Sequence, residues 1–516
     1  MKQRLSLSRQ DSLHQLKKEY ARDNGLSSLP TDQDFLQLID DDSRFRSSFK
    51  IKPVRSASGI VVISVVTAPH SCPHGTCIYC PGGPTIGTPQ SYLGQEPAVS
   101  QGIRNGYVAA KQVTERLTAL ASGGHSIEKA ELIILGGTFL NYPRHYQEEF
   151  VKGCYDGLNG FESPSLEQAK SYNVNASVRS VGLTIETRPD FCKDEHVDQM
   201  LNYGATRVEI GVQALDERIY LRVNRGHTMK DVTEAFQISR DAGFKIAAHM
   251  MPGLPGSSPS KDLEDFRRLF GDEQFKPDML KIYPTLVVPG TALERLYKLG
   301  KYSPYSLEDT VNLLVEVKRL VPPWVRIMRI QREISADEIT SGVKAGNLRE
   351  LVLRAMSQRG YSCNCMRCKE IGLRSNTTNT GLIESNLKLS RTSYPASNGT
   401  EYFLSFEEPK NSALVGFLRL RIPSNRAHRP EIKSARTSVI RELHVYGSAL
   451  AFGDRDRNAW QHKGLGKALV AEAEKLAAEE FEATKMIVIS AVGTRKYYSK
   501  LGYQLDGPYM SKALKR

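Results

Sequence analysis

The chain has no run of about 18 consecutive apolar residues in its 516 positions, so no membrane-spanning helix is expected. Residues 1–20 are polar and amphipathic and lack the apolar core of a secretory leader, which points to a cytoplasmic protein. Cysteine is scarce, with 8 residues. Six of them fall into two tight groups, at 72, 77 and 80 and at 363, 365 and 368. That pattern excludes a disulfide scaffold and favours metal ligation in a reducing compartment, leaving Cys154 and Cys192 as ordinary buried thiols. No internal repeat is visible. Acidic residues are outnumbered, 57 against 70 Lys and Arg, for a net charge of +13. The excess favours a polyanionic partner, against the alternative of an enzyme that is simply basic.

What is present is ordinary soluble composition, 40% apolar and 25% charged, over a length that predicts about three domains at roughly 150 residues each. Residues 1–55 form a helical extension with Leu13, Leu16, Lys17 and Lys18 in one segment and Phe35, Leu36, Leu38 and Ile39 in another. The basic stretch 49–55 is either a phosphate contact or a solvated linker. Between 56 and 330, apolar β-rich runs at 60–67, 131–135, 181–186, 207–212, 245–250, 279–283 and 325–330 alternate with helical segments such as 101–120, 228–242 and 307–320. This alternation predicts a parallel sheet, curved or closed into a barrel, with function at the C-terminal strand ends. The unusual residues fall at those ends: the cysteine loop, Gly136-Gly137, Glu186, Gln213, and Lys281 with Tyr283. Residues 331–380 are a basic helical linker carrying the second cysteine group, closing on a polar loop at 375–380. Residues 381–516 read as a second α/β unit, with strands at 414–420, 439–446 and 486–490 and a helix at 465–482 whose Leu465, Leu469, Ala473 and Leu476 share a face.

Cys72, Cys77 and Cys80 form a C-x4-C-x2-C loop after the first strand. Three thiolates hold a [4Fe-4S] cluster with one iron left open, whereas structural zinc needs a fourth ligand, for which His70 and His74 are candidates. Backbone carbonyls at Gly136-Gly137 can receive an ammonium group, and Glu186 and Gln213 can bind ribose or amino-acid polar groups. These residues resemble the radical S-adenosylmethionine superfamily, although its usual spacing, C-x3-C-x2-C, has one residue fewer in the first gap. The resemblance implies that the three cysteines bind the cluster, that S-adenosylmethionine sits on the open iron, and that reductive cleavage yields a 5'-deoxyadenosyl radical.

Gln461, Gly464 and Gly466 open the expected helix in a Q-x-x-G-x-G pattern, followed by Lys467 and Ala468. Glycines at a helix entry let amides approach a pyrophosphate. The pattern resembles the acetyl-CoA signature of GNAT acetyltransferases. The upstream strand Leu443, His444, Val445, Tyr446 can pair with pantetheine, and Tyr497 or Tyr498 can protonate a departing thiolate unless the two are core aromatics. Cys363, Cys365 and Cys368 are read as structural zinc ligands lacking an identified fourth, with a second iron-sulfur cluster as the rival.

A partial TIM-type radical S-adenosylmethionine barrel, a zinc-bearing linker and a GNAT-type α/β domain in one chain resemble the tRNA wobble-uridine acetyltransferases, the family of the Elongator catalytic subunit. Dispersed segments carry the likeness, among them Lys52-Pro53-Val54-Arg55, Lys281-Ile282-Tyr283-Pro284-Thr285 and Gly507-Pro508-Tyr509-Met510. The resemblance implies carboxymethylation of carbon 5 of the wobble uridine, with acetyl-CoA as co-substrate, an electron donor for the cluster, and the anticodon stem-loop of tRNA as partner. It implies that Lys129 contacts acetyl-CoA and that this is a prokaryotic-type single chain needing no accessory subunits; Lys281 and Tyr283 are candidates for the reaction pocket because they sit at a strand end, and alternation alone does not say which faces inward. The alternatives are a protein lysine acetyltransferase with a structural barrel and a non-enzymatic RNA-binding scaffold.

Overall fold

The computed structural model of the protein describes residues 11–32, 34, 36, 50–374, 387–409, 412–447 and 464–514. Phe35, Leu38, Ile39, the polar run 375–380 and Gln461 lie outside the described residues. Two seven-stranded sheets organise the rest. The first follows chain order from β1 (Val61–Val66) through β2 (Lys129–Leu135), β3 (Arg179–Thr187), β4 (Arg207–Gln213), β5 (Lys245–Met250) and β6 (Met279–Ile282) to β7 (Arg326–Arg329). Every neighbouring pair is parallel, and helices such as Ala109–Ser122, Arg144–Asn159 and Met229–Asp241 fill the crossovers, giving a partial β/α barrel. On β1 the period of two sorts the side chains. Val61, Ile63 and Val65 are fully buried in the core, while Val62 and Ser64 face the interior of the barrel.

The expected single helix over 101–120 is two helices, Pro97–Arg104 and Ala109–Ser122. Gly106 and Tyr107 between them both take left-handed φ values, 58° and 59°, and two such residues in succession end a right-handed helix.

The second sheet runs β13 (Gln504–Asp506), β14 (Tyr509–Ala513), β12 (Lys485–Val488), β11 (Thr437–Val445), β10 (Ala413–Ile422), β9 (Gly399–Glu408), β8 (Lys388–Ala396). It is mixed, and β11 with β12 is its parallel pair. The helix Leu465–Phe481 buries Leu469, Val470, Ala473, Leu476 and Ala477 against it. Among the described residues no helix is long and apolar enough to cross a membrane.

The sheets are joined by buried charge. Asp278, one residue before β6, accepts from both terminal nitrogens of Arg441 at 2.6 and 2.8 Å and faces Arg419 at 3.4 Å. Arg441 also pairs with Glu401, and Arg421 bridges Glu401 and Asp241. Asp278 and all three arginines are fully buried. Burial opposes ionisation of Asp278, but Arg441 and Arg419 outweigh it and hold its carboxyl well below the ordinary carboxylate range. The segment after the barrel is wedged into the same junction: Met366 donates its amide to Val325, Glu370 pairs with Arg326 at 2.7 Å, and Trp324 stacks on Tyr394 at 4.1 Å.

Replacing Asp278 with Asn removes the anion that Arg441 and Arg419 share in a fully buried setting, leaving Arg441 to Glu401 and Arg419 to Glu442 alone. Denaturant unfolding at neutral pH is expected to show a loss of about 3–5 kcal/mol. Because the folded-state pKa is depressed, the wild-type advantage is complete above the ordinary value of 3.8 and shrinks as pH falls below it. A difference under about 1 kcal/mol at pH 7 would show that the cluster is not what docks the sheets.

Candidate active site

Cys72, Cys77 and Cys80 line one wall of a cavity of about 450 Å³ at the C-terminal ends of the barrel strands. Donors surround them. Ser91 Oγ lies 2.8 Å from Cys80 Sγ, Gln90 Nε2 donates to the same sulfur at 3.4 Å, Thr138 Oγ1 lies 3.7 Å from Cys72 Sγ, and Arg225 Nη1 donates to Cys77 Sγ at 3.8 Å. Burial, then the neighbouring Cys77, pushes the Cys80 thiol up to about 11. His74 Nε2 lies 3.3 Å from Cys77 Sγ, and burial together with Arg188 and Arg225 pulls its pKa down to about 4, so the ring is neutral. His70 instead stacks on Tyr142 at 4.3 Å.

The spacing of these sulfurs bears on what they could hold. Two ligands on one zinc ion, each about 2.3 Å from it, lie within about 4.6 Å of each other. Among the described residues, Cys363, Cys365 and Cys368 gather within 4.8 Å of one another and the loop cysteines do not. The loop therefore suits a multi-atom cluster better than a single ion, and the linker triad suits a single ion.

The other residues expected at strand ends converge on the same cavity. Gly136 and Gly137 follow β2; a Cβ on Gly136 would overlap Thr67 Oγ1, and Gly137, with φ +74°, approaches Cys72 Sγ. Only glycine accommodates both the contact and the dihedral. Gln213 closes β4 with φ +76°, its Oε1 buried without a partner among the described residues. Glu186 accepts from Tyr92 at 3.2 Å and lies 3.7 Å from Lys281. Lys281 is hydrogen-bonded to Glu209, which also takes a hydrogen bond from His249 at 2.9 Å. Burial works against the charge on Lys281, but Glu209 and Glu186 raise its pKa overall. Tyr283 packs edge-on against His249, and Arg55, Arg116, Arg329 and Arg332 add cationic groups to the cavity wall.

A second cavity, about 420 Å³, opens at the opposite end of the barrel, between its N-terminal strand ends and the second sheet. Lys129, Leu443, His444, Val445, Tyr446 and Tyr498 all line it. Its shape follows from strand geometry. β11 and β12 are paired from Thr437 to Ile440 and then part, while the register of β11 against β10 slips at Arg441. A β-bulge at that point turns the following residues away from β12. His444 Nε2 donates to Ser58 O, 3.0 Å away, which ties the splayed strand to the barrel. Gly464, with φ +80°, caps the helix Leu465–Phe481, whose first internal bond runs from Ala468 N to Gly464 O; the amides of Leu465, Gly466 and Lys467 precede it. Gly466 is needed for close approach, since a Cβ there would lie 2.8 Å from Tyr497 Oη. Tyr497 is half-exposed beside this helix entry, whereas Tyr498 is buried in the second core and reaches the lower cavity.

In the linker, the three thiols share hydrogen bonds, which hold Cys365 below and Cys363 above the ordinary thiol range. Lys318, fully buried on the helix Leu307–Leu320, donates to Cys368 Sγ at 3.5 Å. Sequence reasoning missed Lys318, and it also missed Arg225, Glu209 and His249 around the upper cavity. Each sits on an element remote in sequence from the motif it serves.

Comparison with known proteins agrees with this architecture. The Radical SAM superfamily model matches residues 67–270, and the Radical_SAM C-terminal domain matches residues 277–358. The chain is 44% identical to Elongator complex protein 3 of Saccharomyces cerevisiae, covering 98% of this chain and 93% of that protein. It is 43% identical to Elongator complex protein 3 of Homo sapiens, with the same coverage. Among solved structures, the archaeal Methanocaldococcus infernus Elp3 with an N-terminal deletion aligns with a TM-score of 0.79 at 41% identity, over 89% of this chain and 100% of that one. With its parallel partial barrel, cysteine loop and fused second sheet, the chain belongs to the Elongator complex protein 3 family.

Proposed function

We propose that the protein is a cytoplasmic tRNA-modifying enzyme that carboxymethylates carbon 5 of the wobble uridine, using acetyl-CoA and S-adenosylmethionine. The observation that carries this reading is the pair of cavities at the two ends of one barrel, the cysteine loop at one and a splayed strand pair at the other. When bound, an iron-sulfur cluster with S-adenosylmethionine supplies a hydrogen-abstracting radical fed by an external electron donor, and acetyl-CoA supplies the two-carbon unit.

In this reading Cys72, Cys77 and Cys80 would hold the cluster. The carbonyls of Gly136 and Gly137, with Glu186 and Gln213, would receive the polar groups of S-adenosylmethionine. The unpartnered Gln213 Oε1 leaves an acceptor open for that purpose. Lys281, kept charged by Glu209 and Glu186, and Tyr283 would orient the uracil, a base that can be splayed out of an unstacked anticodon loop. Arg55, Arg329 and Arg332 would take backbone phosphates, making affinity fall steeply with salt. In the second domain, a GNAT-type fold in this reading, the strand Leu443, His444, Val445, Tyr446 would pair with pantetheine. The Gly464 and Gly466 helix entry, with Gln461, Lys467 and Ala468, would cradle the pyrophosphate, and Lys129 would close the pocket from the barrel side. Tyr497 and Tyr498 are the candidates to protonate the departing thiolate.

Anaerobic incubation with transcribed tRNA, acetyl-CoA, S-adenosylmethionine and reductant, followed by nucleoside mass spectrometry, is expected to yield carboxymethyl-uridine. Cys77→Ala should abolish both this product and 5'-deoxyadenosine while acetyl-CoA binding, read by calorimetry, stays unchanged. Acetylated peptide formed without tRNA and unaffected by Cys77→Ala would support a protein acetyltransferase instead.

Zinc is assigned to Cys363, Cys365 and Cys368, with Lys318 beside it to offset the charge of the thiolates. Elemental analysis of purified protein should find about one zinc per chain, and Cys365→Ala should lose it together with several degrees of melting temperature. Iron in place of zinc in a Cys77→Ala background would overturn the assignment.

A further inference from the structure

The two cavities meet at a shared set of side chains: both are lined by Arg55, Val62, Glu131, Arg207 and Met328. Alternate positions on the strands connect them, as the period of two requires for side chains sharing the inner face of a barrel. On β2 Lys129 lines the lower cavity, Glu131 both, and Ile133 and Leu135 the upper. On β4 the same climb runs from Arg207 through Glu209 and Gly211 to Gln213. At about 3.3 Å per residue the lumen between Lys129 and Leu135 is roughly 20 Å long, a distance a linear thioester arm can enter from one end. Val62, in the middle of β1, keeps 38% of its surface exposed because it faces this space.

The junction is polar. Arg207 Nη1 forms an ion pair with Glu131 Oε1 at 2.6 Å and donates to Met279 Sδ at 3.7 Å, and Arg207 Nε faces Glu209 Oε1 at 3.8 Å, beyond hydrogen-bond distance. Arg207 Nε and Nη2 and Glu209 Oε1 are buried and have no hydrogen-bond partner among the described residues. A buried donor left unpaired costs about 1–3 kcal/mol, so a guanidinium with two such nitrogens at the junction of two cavities points to an acceptor brought by a ligand. An acyl thioester has one suitable group in its reacting half, the carbonyl oxygen.

We propose that the barrel lumen is the passage by which the acyl end of the donor held at the second sheet reaches the upper cavity, and that Arg207 is a positioning residue whose Nε–H and Nη2–H donate to the thioester carbonyl. The proposal rests on the functional reading above. It explains how an acetyl group bound at the N-terminal strand ends meets chemistry performed at the C-terminal ends without leaving the protein. It also separates roles inside the lumen: Glu131 fixes the guanidinium, and Val62 and Met328 shape the way past it.

Two measurements test it. Calorimetry with acetyl-CoA and with S-ethyl-CoA, a thioether lacking the carbonyl, is expected to show wild type preferring acetyl-CoA by about tenfold; Arg207→Met should abolish the preference and Arg207→Lys restore part of it. Equal affinities of wild type for the two ligands would overturn the role of Arg207. Val62→Trp should fill the passage: calorimetry should still detect acetyl-CoA binding, while carboxymethyl-uridine, and with it the tRNA-dependent 5'-deoxyadenosine whose added hydrogen comes from the acetyl group, falls below detection. Product formation by Val62→Trp at the wild-type rate would overturn the passage; should that variant fail to fold, Met328→Phe is read in the same way. Wild type that binds acetyl-CoA yet forms no modified uridine would instead remove the functional reading, and the passage with it.

Discussion

Asp278 is the anion on which the arrangement of the two sheets depends. It lies immediately before β6, and its carboxylate is held between Arg441 of β11 and Arg419 of β10, with Ile246 N donating to it from β5 at 2.8 Å. Buried ion pairs contribute little net stability over apolar contacts, because desolvation consumes most of the Coulomb gain. What they impose is register. An apolar junction could slide by a residue at modest cost, whereas a displaced guanidinium in this setting would be buried without its anion. The strand that carries Asp278 carries Lys281 three positions on, and the strand that carries Arg441 continues into Leu443, His444, Val445 and Tyr446. Fixing one ion cluster therefore fixes the floor of both cavities relative to each other.

That constraint changes how the barrel is used. In β/α barrels the C-terminal strand ends carry chemistry and the N-terminal ends carry stability. Here the N-terminal ends are charged, with Lys129, Arg207, Lys245 and Arg326 all lining the lower cavity, and the second sheet closes over them. A barrel floor built this way would repel its own cations in the absence of the facing acids. Glu442, Glu370 and Glu131 lie among them, and Glu442 is kept below its ordinary pKa because Arg419 and Lys245 outweigh the cost of its burial. Each end of the barrel thus sets cations against facing acids, and the second sheet forms part of the wall of the lower cavity.

Much of this was legible from the sequence, and the boundary of legibility has a physical cause. The seven barrel strands stood out because a parallel sheet buries both faces and writes continuous apolar runs. The cysteine loop and Gly136-Gly137 stood out because thiolate spacing and glycine are rarely accidental. Features that depend on distant pairing did not stand out. Arg441 reads as an ordinary charged position in a strand, and its partner Asp278 is 163 residues away. Lys318 looks like a solvated lysine near a helix end until Cys368, 50 residues on, folds against it. The strands β8, β9, β13 and β14 were not foreseen; β8 and β13 are the sheet's edges, and β8 buries only Tyr394 and Ala396. The interruption at Gly106 and Tyr107 was hidden by apolar periodicity continuing on both sides of it.

Closure of the floor also constrains how substrates arrive. Among the described residues the second sheet covers the N-terminal strand ends and leaves the side of the cysteine loop, where Arg329 and Arg332 line the cavity, for a macromolecule to approach. In the proposed function a coenzyme thioester would be received below, at the gap opened where β11 leaves β12. In the proposed reaction the base and the acyl donor would then enter from opposite ends and never compete for one opening. Each could also be retained while the other exchanges, with the strands of the partial barrel and the second sheet shielding the groups between them from bulk water. The ion cluster around Asp278 makes this possible, because it docks the second sheet with groups that hold each other, while Arg207, where the two cavities meet, keeps two nitrogens without a hydrogen-bond partner among the described residues.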